Sequence, residues 1–290
     1  MKLNSKFSTT RSLRKTKEQN VLNYLKKIKK PNDKFETILF LPKTKARESE
    51  GGLRTNSYFK TYNNQNPLIT IITVVYNDEA YIEETILSVL NQSYGNIEYL
   101  IIDGGSTDQT VNIIKKYQNS IDYWVSEKDN GIYEAMNKGC RLATGDGLCF
   151  LNSGDKFVGN VFKKNMKLPF FIPCKIIANN KIYEKKLSKI NYGMPTSHQA
   201  MVFLNKRILY NLKYKISSDY DFFIRHGSFS NVEINVSGYV LYNDNGLSKK
   251  NIFRRDYETI LILFKYNGIL TAILFFINQI IKFLKKLMSR

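Results

Sequence analysis

The sequence predicts an α/β fold, a mostly parallel sheet flanked by helices, with a C-terminal amphipathic helical tail. Three observations predict it. Between residues 68 and 151, apolar runs rich in β-branched residues alternate with segments of helical period. Each run ends in a cluster of polar residues, and residues 269–288 keep apolar side chains to one side of a helix. Strand and helix in alternation imply parallel strands joined by crossovers, because an antiparallel pair needs only a short turn.

Leu68 to Val75 is nearly continuous in apolar and β-branched residues, the pattern of a strand buried on both faces. From Asp78 to Gln92, Ile82, Ile86, Val89 and Leu90 recur at the spacing of one helix face. Ile97 to Ile102 reads as a second buried strand. Ser106 and Thr107 are placed to cap a helix carrying Val111, Ile114 and Tyr117. Ile121 to Val125 gives a third strand, Tyr133 to Ala143 a helix, and Leu148 to Leu151 a fourth strand. Residues 1–66 are polar, basic and broken by Gly51-Gly52 and by Asn63 to Pro67. They read as a basic N-terminal extension without an assignable fold, ahead of a domain over 67–250 and the tail over 251–290.

The formal net charge is +19, and its distribution matters more than its size. Residues 1–30 hold ten Lys or Arg against one Glu, and residues 249–290 hold nine against two acids. The intervening chain carries 25 basic and 22 acidic residues, so the excess sits at the two ends. Terminal basic segments suit an anionic surface, lipid or nucleic acid. A nucleic-acid binder is the weaker reading, since no zinc-finger or RNP-type motif accompanies the charge. Cys140, Cys149 and Cys174 show no CxxC spacing and point to a reducing compartment. No apolar stretch follows the basic N-terminus, so no signal peptide is expected and the domain is expected in the cytoplasm.

In parallel sheets ligands bind beyond the carboxyl ends of the strands. Four polar clusters stand at those ends: Tyr76-Asn77-Asp78, Asp103-Gly104-Gly105, Glu127-Lys128-Asp129 and Asn152-Ser153-Gly154-Asp155. Asp103 can accept hydrogen bonds from a base or ribose, and the glycines let backbone approach a ligand. The same stretch also fits a tight turn with Ser106 or Thr107 capping a helix. It lacks the GxGxxG spacing of a dinucleotide site.

The segments TIITVVYN, IEYLIIDGGSTDQT, SEKDNGIYEAMNKG and FLNSGD, in that order, resemble the family 2 glycosyltransferases of GT-A (Rossmann-like) fold. The similarity is greatest to the bacterial branch that builds surface polysaccharide: capsule, O-antigen or exopolysaccharide. A weaker match runs through Ser197-His198-Gln199 and Ser218-Asp219-Tyr220-Asp221 to about Ser248. The resemblance implies an inverting, hexosyltransferase-type enzyme that moves a sugar from a nucleotide-diphosphate donor to a glycan or lipid-linked acceptor. Tyr76, Asn77, Asp103, Asp129, Asn137 and Lys138 would bind the donor. Asp155 would hold Mg²⁺ or Mn²⁺, which neutralises a departing diphosphate, and His198 could add a nitrogen. Asn152 and Gly154 stand where the family's metal motif usually has aspartates.

An acceptor hydroxyl needs a base, and Asp219, with Asp221 as alternate, matches the family's acid ahead of the acceptor-facing helix. Helix capping ahead of Phe222 is the plainer role for Asp219. A metal-dependent nucleotidyltransferase is the alternative enzyme, weakened by the order of the four motifs. In the tail, Asn278, Gln279 and the lysines at 282, 285 and 286 interrupt the apolar run before the ~20 residues of a membrane span. An interfacial helix on the inner face of the plasma membrane fits better.

Overall fold

The computed structural model describes residues 3–28, 33–60, 66–178, 181–187, 194–227, 233–234, 238–243 and 251–288. The N-terminal part supplies β1 (Leu13–Lys15), α1 (Glu18–Lys27), β2 (Arg47–Gly51) and β3 (Tyr58–Lys60). Next come β4 (Ile69–Val75), α2 (Ile82–Leu90), β5 (Ile97–Asp103), α3 (Thr110–Lys116), β6 (Tyr123–Glu127), α4 (Ile132–Leu142) and β7 (Gly147–Phe150). Short strands follow: β8 (Lys156–Gly159), β9 (Phe170–Phe171), β10 (Cys174–Ala178), β11 (Lys181–Lys185) and β12 (Met201–Leu204). The chain ends in α5 (Ser218–His226), β13 (Glu233–Ile234), β14 (Gly238–Asn243), α6 (Ile252–Asn267) and α7 (Ile269–Met288).

The eight-stranded sheet runs β13-β9-β12-β7-β4-β5-β6-β2. Its centre, β7-β4-β5-β6, is wholly parallel, as the alternation requires. A second sheet runs β11-β10-β14-β8. All seven β4 residues are buried, and they divide by parity. Ile69 and Ile71 join the layer made with α2, while Ile72 and Val74 join the layer made with α4, α5 and the C-terminal helices. Each such aliphatic side chain contributes about 2 kcal/mol on full burial. The α4 backbone lies close on β4: a Cβ on Gly139 would stand 2.5 Å from Ile72 Cγ2.

One boundary moves. Residues 47–60, expected in the N-terminal extension, are built into the domain. β2 closes the sheet antiparallel to β6. The Arg54 guanidinium reaches Glu98 at 2.6 Å and the carbonyls of Leu39 and Leu142 at 3.0 Å, with no more than 2% of either ion-pair side chain exposed. Lys60 lies 3.4 Å from the equally buried Asp122. Charges this deep stay ionised only when paired. The N-terminal cations therefore answer carboxylates that would otherwise be stranded on β5 and beside β6.

The capping expected of Ser106 and Thr107 also differs. α3 starts later, and Asp108 Oδ1 accepts the Thr110 N–H at 3.0 Å near its start. Ser106 is drawn instead into the loop after β5.

Candidate active site

Because β4, β5, β6 and β7 are parallel, their four polar ends meet at one edge of the sheet. A cavity of about 1020 Å³ opens there. It is lined by the end of β4, Val74 to Asp78, by Asn152 and Ser153 after β7, and by His198, Asp219, Arg255 and Phe275. Of the ten side chains named from sequence, Tyr76, Asn77, His198 and Asp219 line this cavity.

Tyr76 is 64% exposed, an unusual state for an aromatic residue ending a buried strand. Asn77 takes φ +47°, a conformation asparagine tolerates better than most residues. Its N–H donates to Ser106 Oγ at 2.7 Å, and its Oδ1 accepts the Thr107 N–H at 2.8 Å. Those bonds lace the loop after β4 to the loop after β5.

Asp103 lies under the lacing with no exposed surface. It accepts from Gly105 N–H at 3.1 Å, Ser106 N–H at 2.9 Å and Ser126 Oγ at 2.6 Å, and also from the Ser106 hydroxyl. Asp103 shapes the loop that Asn77 grips. Asp129 sits above it. A Cβ on Gly104 would meet Asp129 Oδ2 at 2.8 Å, so this glycine makes room for a carboxylate of the chain itself. Asp129 Oδ1 accepts the Gly131 N–H at 2.8 Å, and burial raises its pKa.

Two more of the residues named from sequence lie on α4. Asn137 is buried; its Nδ2 donates to the Tyr210 carbonyl at 3.0 Å and its Oδ1 accepts the Tyr210 N–H at 2.6 Å. It fastens α4 to the loop before α5. Lys138 Nζ is paired with Glu127 at 2.8 Å, and Arg47 Nε reaches the same carboxylate at 2.7 Å. Burial opposes ionisation of Glu127, but these two cations outweigh it and hold the pKa below the usual range. Lys138 thus balances the charge of Glu127.

Behind the β7 end, Asp155 is 7% exposed and accepts from Gln199 Nε2 at 2.8 Å. Burial raises its pKa to about 7. Thr85 holds the loop from below, donating to the Asp155 carbonyl at 2.8 Å and accepting the Gly154 N–H at 3.1 Å. Nearer the cavity, Asn152 Oδ1 and His198 Nε2 are buried without a hydrogen-bond partner. Buried polar atoms are normally satisfied, so an orphaned amide oxygen and an orphaned imidazole nitrogen, each on a cavity residue, mark places for a ligand. Among the described residues no three carboxylate, imidazole or thiol groups gather into a metal cluster. The two orphans fit a weakly held cation that takes its other ligands from substrate and water.

Asp219 sits in the first turn of α5 with its side chain 25% exposed. Burial pushes its pKa up to about 6, and His198 Nδ1 lies 3.8 Å from its Oδ2. The imidazole is itself driven down to about 4 by burial, so it faces Asp219 as a neutral ring at pH 7. Asp221 is the converse case. It is fully buried, bonded to Arg225 Nε at 2.7 Å and to the Tyr266 hydroxyl at 3.1 Å, and it is not among the residues that line the cavity.

Sequence reasoning missed three residues that hold the segments around the cavity. Glu258 on α6 accepts the N–H groups of Lys215, Ile216 and Ser217 at 3.0, 2.9 and 2.9 Å. The Tyr133 hydroxyl donates to the Ile216 carbonyl at 2.6 Å. Gln199 fixes Asp155. Gln199 and Tyr133 stood in flagged segments without being singled out, and Glu258 looks like an ordinary helix position.

Residues 70–168 match the family model described as glycosyl transferase family 2. An uncharacterized glycosyltransferase of Mycobacterium tuberculosis is 44% identical over 94 residues, 32% of this chain and 36% of that protein. A putative teichuronic acid biosynthesis glycosyltransferase of Bacillus subtilis is 36% identical over 114 residues, 38% of this chain and 45% of that one. A PGL/p-HBAD biosynthesis glycosyltransferase of Mycobacterium bovis is 28% identical over 188 residues, covering 57% and 71%. The first two alignments thus span less than half of those relatives' own length. In fold, the chain superposes on S. aureus TarS 1-349 in complex with UDP with TM-score 0.51 and 18% identity, over 68% of this chain and 66% of that one. The strand order, the motif order and the family match agree: the chain has a GT-A fold, and its residues 70–168 match glycosyl transferase family 2.

Proposed function

We propose that the protein transfers a sugar from a nucleotide-diphosphate donor to an acceptor hydroxyl in cell-surface polysaccharide synthesis, inverting the anomeric centre. The carrying observation is the pairing, across one cavity, of the laced Tyr76-Asn77 loop with Asp219. The donor's nucleotide would lie against Tyr76 and Asn77, with Asp103 and Asp129 shaping the loops beneath. Its diphosphate would reach the end of β7. There Asn152 and His198, backed by Asp155, would hold Mg²⁺ or Mn²⁺, and the bound ion would stabilise negative charge on the leaving group.

Asp219 would accept the acceptor hydroxyl's proton as the new C–O bond forms and the bond to the diphosphate breaks. A carboxylate raised to about 6 is a better base than an exposed one and is still ionised at pH 7. The neutral His198 adds no counter-charge of its own. The relatives named for teichuronic acid and PGL/p-HBAD biosynthesis support an envelope glycan as the product. The apolar, basic C-terminal helices support a peripheral position on the inner face of the plasma membrane.

The test is a nucleotide-sugar panel with purified protein, Mg²⁺ or Mn²⁺ and a membrane lipid extract, following nucleoside diphosphate release. Release from one donor, lost with EDTA and in Asp219→Asn, is the expected result. No release from any donor, and no donor that raises the melting temperature, would overturn the reading.

A further inference from the structure

Lys185, Lys215 and Arg255 also line the cavity, and each is tied to the candidate base. Lys215 stands four residues before Asp219, where Glu258 accepts its backbone N–H at 3.0 Å. The Arg255 carbonyl accepts the Ser217 hydroxyl at 3.0 Å, so its side chain starts beside the entry to α5. Lys185 ends β11, and its Nζ lies 5.4 Å from the centre of the Tyr242 ring, another cavity residue. Burial raises the pKa of Asp219, and the Lys185 charge acts against that rise. At His198 burial lowers the pKa, and the same charge lowers it further. The acids among the described lining residues are Asp78, Asp219 and Asp256. Asp256 accepts from Arg255 Nε at 2.9 Å and Nη2 at 2.7 Å, while Asp78 accepts from the Ser153 hydroxyl after β7. With Arg255 and Asp256 matched, two ammonium groups share the neighbourhood of the base with one lining carboxylate, Asp219 itself.

We propose that Lys185 and Lys215 recognise an acid group, a carboxylate or a phosphate ester, on the sugar that accepts the transfer. This rests on the transferase reading above and names the acceptor's chemistry within it. A base must lie within hydrogen-bond reach of the hydroxyl it deprotonates. An acid group on the ring that carries this hydroxyl is then brought to the cations tied to Asp219. Ammonium groups suit either acid, since each offers three donors and a compact charge on a flexible stem. The reaction strengthens the match. As the hydroxyl proton passes to Asp219, the new C–O bond forms and the bond from the anomeric carbon to the diphosphate breaks. Asp219 loses its charge in that step, and the substrate's acid remains as counter-charge to the two lysines. Attraction that grows towards the transition state raises turnover as well as affinity.

Matched methyl glycosides of the gluco, galacto and manno series test this with the full chain. Each neutral sugar is compared with its uronic acid and with its 6-phosphate, by calorimetric titration in the presence of Mn²⁺ and nucleoside diphosphate. At least one acid sugar should bind about tenfold or more tightly than its neutral partner, and the arm that wins identifies the acid. Where a donor turns over, the same pair should differ in kcat/KM by more than it differs in affinity. In the double variant Lys185→Gln, Lys215→Gln the affinity ratio should fall to near one. The ratio compares two ligands on one protein, so partial unfolding of the variant does not imitate its loss. Lys185→Glu should reverse the preference, favouring the 6-amino-6-deoxy sugar over the uronic acid. Equal binding within every pair, or no binding of any acid sugar, would overturn the proposal. So would a double variant that keeps the acid preference and loses nucleoside diphosphate affinity, which would give the lysines to the leaving group. Absence of donor turnover in wild type under every condition fails the transferase reading instead, and the binding ratio then still decides the acid subsite.

Discussion

Glu258 Oε2 accepts the backbone N–H of Ser217 at 2.9 Å, two residues ahead of Asp219. With the bonds to Lys215 and Ile216, one α6 carboxylate fixes the chain that enters α5. The candidate base is therefore positioned from the C-terminal helices, although it belongs to the preceding segment.

Glu258→Ala should leave three N–H groups without their acceptor and cost about 3 kcal/mol in urea unfolding. Burial by itself would raise the Glu258 pKa, but these bonds and Arg254 outweigh it and hold it low. A lowered folded-state pKa contributes stability above the unfolded value, which is lost as pH falls through the folded value. Stability followed from pH 6 into the acid range should fall more steeply in wild type than in Glu258→Gln.

Asp219→Asn should reduce turnover by about 10²–10⁴-fold and leave donor affinity unchanged, as measured by calorimetric titration of the donor. In wild type, kcat/KM should rise through about pH 6 to a plateau, following ionisation of Asp219. The effect on stability has the opposite sign to that of Glu258. A raised folded-state pKa contributes stability below the unfolded value that is lost as pH rises through 6. At pH 8 the asparagine variant should therefore be more stable than wild type, by on the order of 1 kcal/mol after allowance for partial exposure.

Asn152→Asp should strengthen Mn²⁺ binding about tenfold, because a carboxylate replaces an amide oxygen at the orphaned position. His198→Ala should weaken it. Titration of Mn²⁺ by electron paramagnetic resonance in the presence of nucleoside diphosphate reads both effects without turnover. Equal affinity in all three proteins would remove Asn152 and His198 as ligands.

Asn137→Ala should cost about 2 kcal/mol by severing α4 from Tyr210, with no change in the KM for donor. A selective rise in that KM would restore Asn137 to the donor pocket.

The centre of the fold was readable because its periods are local. β4 through β7 and the helices between them repeat apolar residues at spacings that a strand or helix alone explains. The carboxyl-end clusters followed from the parallel order. Side-chain direction was not readable: Asp103, Asn137, Lys138 and Asp221 are polar residues in the expected places, yet each is satisfied by a partner distant in sequence or in the next turn. β2 was invisible for a related reason. Its residues, Arg47-Glu48-Ser49-Glu50-Gly51, carry no apolar alternation, and what holds them is backbone pairing with β6. Glu258 looks like one more solvated helix charge until the chain before α5 folds onto it.

The buried pairs Arg54–Glu98 and Lys60–Asp122 make homology and foldability different stretches of this chain. Both carboxylates lie inside the segment that the family model matches, and both counter-cations lie outside it. Asp122, even beside its lysine, is pushed by burial up to about 6. A fragment cut at the homologous boundary would carry two acids into its interior with no cation to meet them. It would have to take up protons in order to fold, so it would be a domain by ancestry but an acid-requiring one by chemistry.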